Sequence, residues 1–73
     1  MNPITEIKKR NGITRMALSQ KSGIPYSTLN NVEAGLVRRL RPATLEALSK
    51  MSGKAPDVLQ AEYRTWREGL VQA

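Results

Sequence analysis

Residues 13–35 have the sequence ITRMALSQKSGIPYSTLNNVEAG, which predicts two short helices joined by a tight turn. Thr14 is the candidate N-cap of the first helix, because its hydroxyl can accept a hydrogen bond from an unpaired amide of the first turn. Gly23 is expected to end that helix, since glycine readily adopts the left-handed backbone common at helix ends. Pro25 suits the first position of the second helix, where its missing N–H costs nothing.

The two predicted helices each carry apolar side chains on one side. Residues 16–18, Met-Ala-Leu, start the apolar face of the first helix. In the second helix Leu29 and Val32 are three residues apart and face inward, with Ile24 packing at the entry. The side chains left facing water are Tyr26, Ser27, Asn30 and Asn31. This arrangement is typical of a helix-turn-helix, whose second helix can lie in the major groove of DNA.

Short segments spread over most of the chain carry a family resemblance. They are Ile13-Thr14, Leu18-Ser19, Gly23-Ile24, Ser27-Thr28-Leu29 and Glu33-Ala34-Gly35, with Ile4, Ile7 and Lys8 upstream and residues 44–59 downstream. In these positions the chain resembles the Cro/C1-type (XRE-like) helix-turn-helix regulators of phages and plasmids. The resemblance implies an all-α fold, a compact five-helix bundle of the lambda-repressor-like DNA-binding type.

The length predicts a single domain over residues 1–73, with the motif at about residues 14–34 and a C-terminal helical extension at about residues 60–71. The chain has no cysteine, so neither a disulfide nor a Cys-type zinc site can stabilise it. No apolar run approaches the roughly 20 residues needed to cross a bilayer, and the N-terminus lacks the apolar segment of a signal peptide. We expect a cytoplasmic protein of a bacterial or phage-infected cell, associated with the nucleoid.

The charge balance points to the class of partner. Twelve Lys and Arg stand against six Asp and Glu, which gives a net charge of +6. A small and strongly basic domain favours a polyanion, either nucleic acid or an anionic membrane surface. The basic residues could also serve solubility alone. The helix-turn-helix pattern favours double-stranded DNA and no membrane.

Residue types that carry common catalytic chemistry are missing. The chain has no histidine and no cysteine, which excludes nucleophile–His pairs and the usual zinc ligand sets. The six acidic residues are scattered, without a spacing that brings two together for acid–base work. We therefore expect no enzyme, no metal, no cofactor and no small-molecule ligand.

The second motif helix, expected at residues 25–33, carries the candidate base contacts. Asparagine offers a donor and an acceptor that match adenine N6 and N7, and serine can serve several bases. Tyr26 could stack on a thymine methyl or send its hydroxyl to a phosphate. The candidate base contacts are Tyr26, Ser27, Asn30 and Asn31. Of these, Asn31 and Ser27 are the best supported.

Basic residues flank that helix and are candidate phosphate contacts. Arg15 lies in the first turn of the first motif helix, whose free amides can also bind a phosphate. The family that the chain resembles carries basic residues in the loop that corresponds to residues 36–41. Arginine can bind phosphates and can also enter a narrow minor groove of DNA. Thr28 fits a helix–helix or phosphate contact. The full set is Arg15, Thr28, Arg38, Arg39 and Arg41, with solvated surface as the alternative.

The resemblance also implies an ion pair between Lys8 and Glu33. In the family, a basic residue at the position of Lys8 pairs with the glutamate that closes the second motif helix, which corresponds to Glu33. The usual basic residue is arginine, whose planar fork grips a carboxylate with two bonds, whereas lysine is a point charge that holds less rigidly. An exposed, unpaired lysine is the alternative.

Caps and apolar spacing predict the flanking helices. They begin at Asn2-Pro3, Pro42 and Ala55-Pro56-Asp57, and the first two of them end at Asn11-Gly12 and Ser52-Gly53. Inward side chains are expected at Ile4, Ile7, Leu40, Leu45, Leu48, Met51, Val58 and Leu59.

The last helix carries an apolar stripe, formed by Leu59, Tyr63, Trp66 and Leu70 at spacings of four, three and four residues. The stripe could fold back on the helix of Ile4 and Ile7 and enlarge a small core. It could instead meet its twin in a dimer, because Trp and Tyr are common in interfaces as well as in cores.

These observations predict a sequence-specific regulator that binds a double-stranded DNA operator, a repressor of the phage or plasmid kind. A domain this small buries little surface on DNA, so we expect a homodimer on two half-sites about one helical turn apart. The alternative is a protein-interaction module, an antitoxin or antirepressor, built on the same fold.

Overall fold

The structure, a computed structural model, describes the backbone of residues 1–72 and the side chains of residues 1–70. Over that range it contains five helices and no strand, which confirms the predicted all-α class. The helices are α1 (Pro3–Asn11), α2 (Arg15–Ser22), α3 (Tyr26–Glu33), α4 (Pro42–Ser52) and α5 (Pro56–Gln72). The predicted C-terminal extension is the second part of α5. Within the described residues, no helix is both long and apolar enough to span a bilayer.

Local capping chemistry sets the helix boundaries. The Asn2 side chain accepts a hydrogen bond from the Ile4 amide at 2.8 Å, and the Thr14 hydroxyl accepts one from the Ala17 amide at 3.1 Å. Both caps lie where the sequence predicts them. Pro25 differs by one position, because it precedes α3 with extended backbone (ψ 140°) instead of occupying its first turn. Tyr26 is therefore the first helical residue.

The buried Asn2 amide also joins two helices. Its Nδ2 donates to the Val32 carbonyl, 3.1 Å away in the last turn of α3. One side chain thus caps the start of α1 and satisfies a carbonyl near the end of α3, a long-range contact that no local pattern indicates.

The same turn ends α2 and α4. The two segments, residues 17–24 (ALSQKSGI) and residues 47–54 (ALSKMSGK), share their first three residues and a Ser-Gly pair. In both, the first serine donates to the carbonyl of the last residue at 2.6 Å, and the second serine accepts from its amide at 3.2 Å. The glycines adopt nearly identical left-handed backbone, with φ of 76° and 74°. A repeated sequence therefore forms a repeated turn.

The core draws on all five helices and on the loop between α3 and α4. Its fully buried apolar residues are Ile4, Ile7, Leu18, Ile24, Leu29, Val32, Leu40, Leu48, Leu59 and Tyr63. Leu45 and Met51 flank Leu48 on α4 and are half-buried. The core packs against the inner face of α3, so the opposite face of that helix points to solvent.

Two predicted inward side chains point outward instead. Met16 is 53% exposed, because it lies two residues, or about 200°, around α2 from the buried Leu18. Val58 is 45% exposed, because the buried row of α5 runs through Leu59 and Tyr63. Apolar residues one or two positions apart lie about 100° or 200° apart around a helix, so only one of each pair faces the protein core here.

The apolar stripe of α5 divides between core and surface. Leu59 and Tyr63 are buried in the same cluster as Ile4 and Ile7, and Trp66 packs against that cluster half-buried. Leu70 stays 50% exposed. Intramolecular packing thus accounts for the first part of the stripe, and half of the Leu70 surface stays exposed.

Gly35, in the loop after α3, makes a close approach to α5. A Cβ atom placed there would lie 3.0 Å from Leu70 Cδ1 and 3.2 Å from Trp66 Cζ3. Its φ is +76°, which most side chains avoid.

We expect the Gly35→Ala variant to lose about 1 kcal/mol more stability than Gly53→Ala, a matched control. Gly53 has nearly the same φ (+74°) but nothing within 4 Å of its Cβ position, so its variant reports backbone strain alone, about 1–2 kcal/mol. Urea unfolding followed by circular dichroism measures both. Equal losses would contradict the packing of α5 on this loop.

Candidate nucleic-acid interface

The outer face of α3 brings together the predicted base contacts. Leu29 and Val32 are buried, so the residues on the opposite arc of the helix project into solvent. The side chains on this exposed face are Tyr26, Ser27, Asn30 and Asn31.

Glu33, the last residue of α3, joins three helices. Lys8 Nζ of α1 lies 2.7 Å from Glu33 Oε2 and 3.0 Å from Oε1, the contact that the family resemblance implies. Thr5 Oγ1 donates to Oε2 at 2.8 Å, and Arg15 Nε of α2 donates to Oε1 at 2.8 Å. A lysine from α1 and an arginine from α2 therefore share the Glu33 carboxylate.

These contacts shift the ionisation of Glu33. Burial raises the pKa of the carboxyl, but the hydrogen bonds from Lys8, Thr5 and Arg15 outweigh it and bring the pKa below its ordinary value of 4.5. The carboxylate is thus charged at neutral pH and holds the end of α3 to α1 and α2.

Arg15 links this ion-pair cluster to the exposed face of α3. Its Nη1 donates a hydrogen bond to Asn30 Oδ1, and its guanidinium carbon lies 5.7 Å from the centre of the Tyr26 ring. The Asn30 amide is therefore oriented, with its oxygen engaged and its NH₂ group turned away from Arg15. Among the described residues, none hydrogen-bonds to the side-chain amide of Asn31.

The loop between α3 and α4 carries three exposed arginines. Two apolar residues anchor the loop: Leu40 is part of the buried core, and Val37 packs against it. The exposed residues of the loop include Arg38, Arg39 and Arg41. Val37 and Leu40 turn toward the core, and the three arginines beside them are exposed to solvent.

Three side chains of α5 hold the backbone of this loop. Gln60 accepts from the Leu40 amide at 2.9 Å and donates to its carbonyl at 3.0 Å. Tyr63 Oη donates to the Val37 carbonyl at 2.6 Å, and Arg67 Nε donates to the Gly35 carbonyl at 3.0 Å. The loop between α3 and α4, which we call the arginine loop, is thus fixed to α5 at both ends and in the middle.

Two concave surfaces adjoin the loop. The first, about 440 Å³, lies between the turn of the motif and α4, and its lining includes Thr28, Asn31, Arg39 and Arg41. The second, about 850 Å³, lies between the loop and α5. It is lined by Arg38, Arg39, Gln60, Arg64, Arg67 and Glu68, and we call it the α5 cleft.

The structure therefore divides the predicted site residues into two neighbourhoods. Arg15 lies with Tyr26 and Asn30 at one end, and Asn31 lies with Thr28, Arg39 and Arg41 at the other, whereas Arg38 lines the α5 cleft. The part that α5 plays in this surface is not predicted from the sequence. Gln60, Arg64 and Arg67 have the spacing of one helical face, a signal available in the sequence but masked by the apolar stripe beside it.

Comparison with known proteins agrees with this architecture. A family model described as Helix-turn-helix matches residues 4–59, from the first turn of α1 into α5. No curated protein and no solved structure matches the chain.

Proposed function

Since the chain belongs to the Cro/C1-type helix-turn-helix family, a family of DNA-binding regulators, we propose that it is a repressor that binds an operator in double-stranded DNA sequence-specifically. The observation that carries the proposal is the exposed polar face of α3 bordered by the exposed arginines of the next loop. Repression would follow from occupancy, because a bound protein excludes RNA polymerase from the same DNA. Such a mechanism needs no second domain.

In this proposal α3 lies in the major groove with its N-terminal residues deepest. Asn31 pairs with an adenine through both its donor and its acceptor, since no side chain or backbone group of the described residues hydrogen-bonds to its side-chain amide. Asn30 donates through its NH₂ group, because Arg15 occupies its oxygen. Ser27 and Tyr26 complete the set of base contacts.

In the same proposal, the loop between α3 and α4 binds the phosphates that flank the major groove. Arg38, Arg39 and Arg41 are exposed there, and Thr28 lies half-buried beside the cleft that Arg39 and Arg41 line. Arg15 is already bonded to Glu33 and Asn30, so its main part is to orient the face of α3, with any phosphate contact secondary.

We also propose that two copies bind a palindromic operator. Leu36 is 70% exposed and directly follows Gly35, against which Leu70 packs with half of its surface still exposed. This apolar patch suits a second copy of the chain, because two half-sites about one helical turn apart bring two copies close together.

The Asn31→Ala variant tests the assigned base contacts. We expect it to lose about 1–3 kcal/mol of binding free energy on the preferred site and to tolerate other bases at one position, because a bidentate contact is removed. The measurement is selection of sites from a random duplex pool, followed by fluorescence anisotropy titration of wild type and variant. A palindromic selected site would support the dimer.

Arg39→Gln is the contrasting variant. It is expected to weaken binding evenly across sequences and to lower the slope of log affinity against log salt by about one unit, since it removes a phosphate contact. Unchanged binding by Asn31→Ala would refute the assigned base contacts. A wild-type chain with no preference among duplexes at physiological salt would refute the function itself.

A further inference from the structure

The α5 cleft concentrates positive charge outside the helix-turn-helix. Two arginines, Arg38 and Arg39, come from the loop, and two, Arg64 and Arg67, come from α5. One carboxylate, Glu68, shares the lining, so the formal charges of the four arginines and this glutamate sum to about +3. Like charges held around one concavity repel one another, and a bound anion relieves that repulsion.

Resting on the DNA-binding function proposed above, we propose that the α5 cleft binds the phosphodiester backbone of the same DNA, with Arg64 as a direct phosphate contact. Arg64 is exposed, and arginine grips phosphate oxygens through its planar fork. The proposal extends the DNA-binding surface from the helix-turn-helix to the last helix.

Side chains of α5 hydrogen-bond to the loop that forms the other wall of the cleft. Gln60 and Arg67, on the same face of α5 as Arg64, hydrogen-bond to the loop backbone at Leu40 and Gly35. The two walls of the cleft are thus joined, and less conformational entropy is lost when a phosphate binds between them. Arg67 is a positioning residue in this arrangement, because its Nε is committed to Gly35.

Continuity with the α3 surface identifies the occupant as DNA. Arg39 lines both the α5 cleft and the cleft that contains Thr28 and Asn31. A DNA strand beside α3 therefore leads past Arg39 to Arg64.

The test compares Arg64→Gln with Arg10→Gln. Arg10 is an exposed arginine on α1, with 61% of its side chain accessible, and it does not line the α5 cleft, so the control has the same charge change. Affinity for the selected operator is measured from 50 to 200 mM salt. We expect the Arg64→Gln slope to fall by about 0.9, which makes its loss of affinity over that fourfold range about 3.5-fold smaller than that of wild type. Arg10→Gln should keep the wild-type slope.

The results distinguish a failure of the proposed cleft contact from a failure of the proposed DNA binding. If wild type binds its operator and both variants show the same slope, the α5 cleft does not contact DNA and the inference fails alone. If wild type selects no duplex, the function and the inference fail together. Hydroxyl-radical footprinting gives a second readout, because Arg64→Gln should lose protection outside the major-groove site while Arg10→Gln keeps it.

Discussion

Replacing Tyr63 with Ala is expected to lower the free energy of unfolding by about 4 kcal/mol, the typical cost of removing a buried aromatic ring. Tyr63 has no exposed surface, and its ring lies 5.8 Å from that of Trp66. A 73-residue domain has roughly 4–11 kcal/mol of stability in total. The variant should therefore retain at most about 7 kcal/mol, and it should be unfolded if the wild type lies at the low end of that range, as measured by urea titration with circular dichroism.

Tyr63→Phe is the control that separates packing from hydrogen bonding. It keeps the ring and removes only the hydroxyl that donates to the Val37 carbonyl. We expect it to lose about 1–2 kcal/mol, because the carbonyl is left without its partner. If Tyr63→Ala proved no less stable than Tyr63→Phe, the ring would not be part of the core.

The second large effect is expected at Glu33. Replacing it with Gln should cost about 3 kcal/mol, because Lys8 and Arg15 are then left close together without the carboxylate that binds both. The variant also frees Arg15, which is expected to loosen Asn30 and to weaken operator binding beyond the loss of stability. Urea unfolding at pH 7 gives the first effect, and anisotropy under folding conditions gives the second.

The pH dependence of this effect has a definite sign. The pKa of Glu33 is lowered in the folded state, so its stabilisation is complete above the ordinary value of 4.5 and is lost as pH falls through the folded pKa. The difference between wild type and Glu33→Gln should therefore shrink below about pH 4.5. Glu6, whose pKa is lowered by its hydrogen bond from Lys54, contributes equally to both proteins and cancels. A difference that stayed constant to pH 2 would rule out the charge of Glu33 as the source.

Most of the helical architecture follows from local sequence. Asn2, Thr14 and Gly23 act at helix ends because capping involves a side chain and backbone groups within about four residues. The buried pair Leu29 and Val32 follows from helical periodicity, and it sets the exposed face of α3 by exclusion. These features depend on neighbours in the chain and can be predicted from it.

The connections that organise the candidate site depend on distant neighbours. Arg15 meets Glu33 across 18 residues, and Arg67 meets Gly35 across 32. Before the helices are packed, the same Arg15 could face solvent, a phosphate or a carboxylate. Periodicity also leaves open which of two neighbouring apolar residues is buried, as Val58 and Leu59 illustrate.

The amino-acid sequence by itself determined the five helices, the turn between α2 and α3, the outward face of α3 and the basic charge. Only the tertiary structure decided that Arg15 orients Asn30, that α5 holds the arginine loop and that the α5 cleft exists. The reason is physical: caps and helical faces are set within a few residues, whereas a hydrogen bond between remote side chains exists only once packing has brought its two partners within about 3 Å.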